Sequence, residues 1–183
     1  AYNYFYKKDE EIRTISPKVE KIKVIEEEND DEITDDDSIK IDKSIEIVVV
    51  GCGAYTCGRG ILGNYGTIIP GILEFCRACN ADIGSVGITV VGFSSQGLTK
   101  AREKISELQA LVGVEMQIRF STVAHFQFDA MPSVNKLMIV AVPDAEHSEW
   151  LRLAARHGYH ALVVKPFVDS FEEGLEITQL FEE

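Results

Sequence analysis

Glycines crowd the stretch GCGAYTCGRG (51–60), which comes directly after the first long apolar run of the chain. Gly51 and Gly53 match the first two glycines of the G-x-G-x-x-G fingerprint, in which a tight turn after a strand brings backbone amides against a diphosphate. Gly51 permits the turn, and Gly53 lets the backbone approach the ligand. Ala54 and Tyr55 follow and are expected to contact the cofactor, whose negative charge is met by amides at the N-terminus of the next helix. The pattern therefore predicts a dinucleotide-binding turn.

The third glycine of this fingerprint is missing. Its position is held by Thr56, and the next glycines are Gly58 and Gly60. We therefore expect a loop about two to four residues longer than the usual one and a helix that begins later. Pro70 suits a first helical turn, which predicts a second helical start near Ile69.

The end of the second predicted strand bears on the choice of dinucleotide. NAD-binding sites usually carry an Asp or Glu there, which accepts hydrogen bonds from the ribose hydroxyls, but residues 90–101 contain no carboxylate. Ser94 and Ser95 can instead bond a 2′-phosphate, with Lys100 or Arg102 near enough to neutralise it. The sequence favours NADP over NAD, and complete loss of the cofactor is the alternative.

The turn lies within a regular alternation of strands and helices. Buried strands are predicted at 45–50, 87–93, 115–120, 136–142 and 160–165, because these runs are apolar without polar alternation. Helical spacing begins at Gly71, Leu98, Asp144 and Asp169, where Asp144 is expected to cap the third helix and Gly158 to end it. Residues 45–183 therefore predict a three-layer α/β domain. Its doubly wound parallel sheet is Rossmann-like, in the order 3-2-1-4-5, with room for a further edge strand.

A second motif follows in VAVPDAEHSEWLRLAARHGYHALVVKPF (140–167). It resembles the stretch between the fourth and fifth strands in the family of glucose-fructose oxidoreductase, inositol dehydrogenase and the rhizopine-catabolism proteins. In that family a strand ends in a small residue and a proline, a histidine follows, the next helix ends at glycine, and the fifth strand ends in Glu-Lys-Pro. These places are held here by Pro143, His147, Gly158, Lys165 and Pro166. The resemblance covers residues 45 to 180, which correspond to the nucleotide-binding half of the family.

The resemblance implies an NAD(P)-dependent oxidoreductase that transfers a hydride to or from a sugar, cyclitol or related polyol. It places Lys165 near the nicotinamide, where an ammonium can orient a substrate hydroxyl or relay its proton, and it implies a cis peptide at Pro166. His147 is expected beside the diphosphate or ribose. A wall against the cofactor is expected from Ala141, Val142 and Pro143.

Two departures from the family bear on catalysis. Val164 stands where the family has the Glu of its triplet, so Lys165 lacks a neighbouring carboxylate. Family members also carry a second α/β domain with much of the substrate pocket, and this chain does not contain one, so we expect it to be weakly active or inactive alone. The alternative function is a degenerate Rossmann module that senses a nucleotide or binds a partner protein without catalysis.

The four cysteines and one histidine admit other chemistry. Cys52, Cys57, Cys76 and Cys79 equal the number of thiolates in a structural zinc site. Their spacing fits such a site poorly, however, and Cys76 and Cys79 lie three apart on a predicted helix as a packed pair would, so we expect no metal. A methyltransferase also begins with VVVGCG (48–53), but Val49 and Phe93 stand where that class usually has acids. His125 is expected to be a hydrogen-bonded surface or core residue.

The net charge limits the kinds of partner that the chain can bind. The net charge is -12, and residues 1–44 hold 14 acidic against eight basic side chains. We interpret them as an acidic extension or linker, with a partly ordered segment as the alternative. A negative surface disfavours nonspecific binding to nucleic acids and anionic membranes, and no leader or apolar span is evident. We therefore expect a cytoplasmic protein that binds a dinucleotide and a small substrate, either as a homo-oligomer or with a C-terminal domain beyond this chain.

Overall fold

A computed structural model of the protein describes residues 44–58, 65–78, 86–128 and 135–182. Within them strands and helices alternate. The strands are β1 (Ile45–Val50), β2 (Val86–Gly92), β3 (Ile118–Thr122), β4 (Asn135–Val140) and β5 (His160–Val163). The helices are α1 (Ala54–Cys57), α2 (Ile68–Ala78), α3 (Ser95–Val112), α4 (His147–Arg156) and α5 (Phe171–Glu182). Short 3₁₀ turns at Val123–His125 and Asp144–Glu146 follow β3 and precede α4.

The five strands form one parallel sheet in the order β3-β2-β1-β4-β5, which confirms the predicted order and fold class. The strand order reverses next to β1, whose last residue Val50 pairs with Val91 of β2 and Val140 of β4. Because all strands run the same way, the loops after them meet at one edge of the sheet. None of the described residues adds a further edge strand.

Alternate residues of β1 face opposite layers, which explains its unbroken apolar run. Ile47 and Val49 belong to a core that α2 and α3 cover, whereas Val48 and Val50 belong to a core that α4 and α5 cover. Val48, Val49 and Val50 are fully buried, and each buried valine contributes roughly 1.5–3 kcal/mol through lost apolar hydration. The sheet and the two helix layers that cover it fix the positions of the strand ends.

Some boundaries differ from the sequence prediction. The third strand begins three residues later than expected, at Ile118. Asp144 does not cap α4, because the chain first makes a 3₁₀ turn and α4 begins at His147 without a side-chain cap. Gly158 does end α4 in a left-handed conformation, as predicted. α2 begins within one residue of the predicted start. The acidic extension lies outside the described residues, except for Ser44.

Among the residues described, no helix combines the length and the apolar character needed to span a membrane.

Candidate functional site: the turn after the first strand

Gly51 packs closely against the ends of β2 and β4. Its amide donates to the carbonyl of Val91 at 2.8 Å, and its φ of 102° lies in a region that L side chains avoid. A side chain here would also run into the carbonyl oxygen of Ala141. Gly51 is therefore required by the close packing of the turn on β4.

Gly53 has a different role. It is exposed, with φ of -91° and ψ of -156°, an extended conformation that other residues adopt easily. A Cβ atom built on Gly53 would have no atom within 4 Å. The space beside this residue is open to a ligand.

The first helix starts earlier than the glycine spacing predicts. α1 begins directly after Gly53, so the expectation of a later start was wrong. The helix makes only one turn and ends at Gly58, whose φ is 80°, and the longer helix α2 begins at Ile68. The late glycine Gly58 therefore ends a short helix rather than extending the loop before it. Gly60 lies outside the described residues.

Thr56 takes the place of the third glycine and is fully buried. Its hydroxyl donates to the carbonyl of Gly51 at 2.7 Å. In the usual fingerprint the third glycine allows close packing of the helix on the strand; here a buried hydrogen bond joins the helix to the turn. Sequence reasoning missed this bond, since the position was judged only by the missing glycine.

The end of β4 forms the opposite wall of the turn. Ala141 donates its amide to the carbonyl of Val50 at 2.8 Å, which extends the sheet beyond β4. Val142 is buried and Pro143 is exposed. Ala141 and Val142, two of the three predicted wall residues, thus lie next to Gly51 at the carboxyl edge of the sheet.

His147 lies behind this wall. Its ring has no exposed surface, and its nitrogens contact two backbone carbonyls: Nδ1 lies 2.8 Å from the oxygen of Pro166 and Nε2 lies 3.0 Å from that of Val142. A neutral imidazole can donate to only one of them at a time. Both ring nitrogens are engaged by the protein, so the ring ties the loop after β4 to the loop after β5.

Lys165 lies two residues beyond β5, in an exposed loop. The bond between Lys165 and Pro166 is cis, as predicted. Val164 continues the sheet by donating its amide to the carbonyl of Val140 at 3.0 Å. No acidic side chain in the described part of the chain forms an ion pair with Lys165, which agrees with the loss of the neighbouring carboxylate.

The end of β2 carries an aromatic ring and a helix cap. Phe93 is 53% exposed and contacts Trp150 edge to face, with ring centroids 6.4 Å apart. The hydroxyl oxygen of Ser94 accepts a hydrogen bond from the amide of Gly97 at 3.1 Å and so caps α3. Ser95 is exposed in the first turn of that helix. Ser94 therefore has a structural role as a helix cap, and its contact with a ligand stays a prediction.

The structure separates the two cations that were candidates for a 2′-phosphate. Lys100 lines a cavity of about 390 Å³ between α1 and α3, together with Gly53 and Ala54 of the glycine turn. Arg102 lies on the other side of α3, with its guanidinium 4.8 Å above the ring of Phe120. Of these two cations, Lys100 shares a cavity with the turn; Lys104, Glu103 and Glu107 line the same cavity.

Two thiols line the Lys100 cavity. Burial raises the pKa of both Cys52 and Cys57, which makes them poor nucleophiles and metal ligands at neutral pH. Cys76 is buried in the core on α2, while Cys79 lies outside the described residues. His125 is exposed and its Nδ1 contacts the hydroxyl of Thr122 at 2.7 Å, as expected of a hydrogen-bonded surface histidine.

Comparison with solved structures agrees with this fold. The chain is similar to the WlbA dehydrogenase from Chromobacterium violaceum, in complex with NADH and UDP-GlcNAcA, with TM-score 0.51 and 17% identity over 78% of this chain and 33% of that one. It is also similar to a variant of KijD10, a 3-ketoreductase from Actinomadura kijaniata in complex with TDP-benzene and NADP. There the TM-score is 0.50 and the identity 16%, over 76% of this chain and 34% of that one.

The chain thus spans about a third of the length of these two proteins. At this identity the likeness establishes the Rossmann-like fold. No protein-family model matches the chain, and no curated protein matches its sequence.

Proposed function

We propose that the chain is the nicotinamide dinucleotide-binding domain of an NAD(P)-dependent oxidoreductase. One observation carries the proposal: the exposed backbone of Gly53 has open space beside it at the point where strand order reverses. A Cβ would enter that space, so the residue present fits a ligand that approaches the backbone closely. Both solved structures named above have this fold and contain a nicotinamide dinucleotide.

The diphosphate would be bound by the turn and the start of α1, through Gly53, Ala54 and Tyr55, while Gly51, whose amide donates to Val91, would shape the turn. The wall of Ala141, Val142 and Pro143 would line the opposite side. We assign His147 a positioning role, because its ring connects the loops that carry Val142 and Pro166. The ring would act on the cofactor only through those loops.

Within this site we propose NADP rather than NAD. The end of β2 has no carboxylate to bond the ribose hydroxyls and repel a phosphate. Lys100 shares its cavity with Gly53, whereas Arg102 lies against Phe120 on the other side of the helix. We therefore propose Lys100 as the cation for the 2′-phosphate, with the hydroxyls of Ser94 and Ser95 at the start of the same helix.

The bound cofactor would supply hydride chemistry, and Lys165 is the one residue of this chain that we place in it. Its ammonium is exposed after β5 and can hold or donate a proton at a substrate oxygen. The substrate class we propose is a sugar, cyclitol or related polyol; the two neighbours are complexed with nucleotide-linked ligands. Since the chain spans about a third of those proteins, we expect weak or no turnover from it alone.

Calorimetric titration of the full chain with NADP and with NAD tests the proposal. We expect NADP to bind more tightly. Lys100→Glu removes a charge-assisted contact worth about 1.5–3 kcal/mol, and so lowers NADP affinity at least 10-fold while NAD affinity changes little. Arg102→Glu makes the same charge change two residues along α3 and serves as the control that retains NADP. A folded wild-type chain that binds neither dinucleotide refutes the proposal.

Val164 supports a second candidate. If the missing carboxylate has ended catalysis, the domain would serve as a nucleotide sensor or a protein-interaction module. Such a module would bind NADP without any hydride transfer when the full-length protein is assayed with polyol substrates. Turnover that disappears in Lys165→Ala would rule it out.

A further inference from the structure

A groove runs along the outer strand β3 on the side of α3. Among the described strands, β3 pairs with β2 alone, at one end of the sheet order. Two cavities, of about 600 and 330 Å³, follow it and share Arg102 and Phe120. We call this surface the β3 groove. Its apolar floor and its cations are provided by Ile105, Met116, Ile118, Phe120, Arg102 and Arg119.

The charge of the β3 groove is opposite to that of the chain. The chain has 30 acidic and 18 basic residues, yet among the described residues no Asp or Glu lines either cavity of the groove. Arg119 is engaged by Glu46 and by the hydroxyl of Thr89. Arg102 rests on Phe120 at 4.8 Å, and no carboxylate in the described part of the chain forms an ion pair with it. The groove therefore presents a cation that an acidic ligand can bind.

The strand itself suits an extended ligand. The outer edge of a terminal strand has backbone donors and acceptors that the sheet does not use, and extended peptides bind such edges as added strands. Ile118 and Phe120 face the α3 side of the sheet, because alternate residues of a strand share a face. A peptide beside β3 would thus place alternate side chains over an apolar floor and next to Arg102.

The opposite edge of the sheet has different chemistry. β5 is the other outer strand of the described sheet. Helix α5, which follows β5 in the chain and packs against α4, begins with Glu172 and Glu173. Glu176 follows on the same helix and pairs with Arg152. The α5 side thus carries three carboxylates, whereas the described lining of the β3 groove carries none.

We propose that the β3 groove binds an extended, acidic segment of a partner protein as an added strand. In this arrangement apolar side chains of the segment lie over Ile118 and Phe120, and a carboxylate pairs with Arg102. Arg102 and Lys100 lie in different cavities, so substitution of each tests one proposal. Ser95, which we place in the dinucleotide site, lines the edge of the β3 groove beside Arg102.

The test measures fluorescence anisotropy of a labelled nine-residue peptide with alternating isoleucine and glutamate, mixed with the full chain. We expect binding at 50 mM NaCl that weakens at least 10-fold at 500 mM, because screening reduces exposed ion pairs. A peptide with lysine in place of glutamate should not bind. Arg102→Glu should lose binding at least 10-fold, and Arg102→Gln should lose less.

Lys100→Glu is the matched control, since it makes the same kind of charge change on the same helix and should retain the peptide. Toward NADP the expectation is reversed, since Lys100→Glu should lose affinity and Arg102→Glu should keep it. Failure of the peptide proposal can therefore be distinguished from failure of the dinucleotide proposal. Thermal melts establish that each variant is folded. Equal binding of the lysine peptide, or unchanged binding by folded Arg102→Glu, overturns the proposal. The proposal is also overturned if no peptide binds and the chain instead forms a concentration-dependent dimer that Arg102→Glu dissociates. In that case the groove binds a second copy of this chain.

Discussion

Gly51 and Gly53 should respond to substitution in opposite ways. Gly51→Ala places a Cβ at φ of 102°, in contact with the backbone oxygen of Ala141. The backbone strain costs about 1–3 kcal/mol. The collision adds to it, because a carbonyl within the sheet cannot move aside as a flexible side chain can. We expect a total loss of at least about 3 kcal/mol from an unfolding free energy of about 5–15 kcal/mol.

Gly53→Val should leave the fold intact. The residue is extended and exposed, and a Cβ meets no neighbour within 4 Å, so the unfolding free energy should change by about 0.5 kcal/mol or less. The two methyl groups of valine would nevertheless fill the space through which a diphosphate approaches the backbone. We expect NADP affinity to fall about 100-fold, which corresponds to about 2.7 kcal/mol.

Urea unfolding followed by circular dichroism gives the stabilities, and calorimetry with NADP gives the affinities of the same samples. The reasoning requires an unstable Gly51→Ala and a stable Gly53→Val that has lost the ligand. Wild-type affinity in Gly53→Val would refute the ligand role of the turn. Wild-type stability in Gly51→Ala would refute the packing described for it.

Three further predictions concern buried groups. Thr56→Gly restores the fingerprint glycine but removes the buried bond to Gly51, so it should destabilise the fold by about 1–3 kcal/mol in urea unfolding; a more stable variant would contradict this. His147→Ala removes a buried ring and the one hydrogen bond that it donates to either carbonyl and should cost about 2–4 kcal/mol by thermal melts, whereas His147→Gln keeps an amide donor and should cost less. Because burial raises the pKa of Cys52 and Cys57 above the ordinary value of 9.0, iodoacetamide should label them more slowly than free cysteine at pH 7.5 and faster only as the pH rises above 9. Peptide mass spectrometry would contradict this by finding labelling of both at neutral pH as fast as that of free cysteine.

The sheet could be predicted from the sequence because a strand that is buried on both faces is apolar at nearly every position. Runs such as residues 45–50 have no polar alternation, and the helices between them fix parallel order and handedness. The cis bond at Pro166 followed from the resemblance. Strand ends were less certain: Glu115 and Met116 look strand-like in sequence, but the chain joins β2 only from Ile118.

The details of the site depend on contacts that spacing does not encode. The hydroxyl of Thr56 compensates for the missing glycine only because α1 brings it over Gly51. Likewise, His147 turns toward Val142 and Pro166 because the 3₁₀ turn before α4 delays the helix, which also prevents Asp144 from capping it. Lys100 and Arg102 are equivalent in sequence, and only the packing of α3 separates them.

The central claim is that a nicotinamide dinucleotide binds at the turn after β1. Two-dimensional nitrogen-proton NMR of the labelled chain, titrated with NADP, tests it at individual residues. The account predicts saturable shifts at the amides of Gly53, Ala54 and Ala141, with the β3 amides unchanged. Spectra that stay the same up to millimolar NADP, or that change only at residues far from the turn, would contradict it.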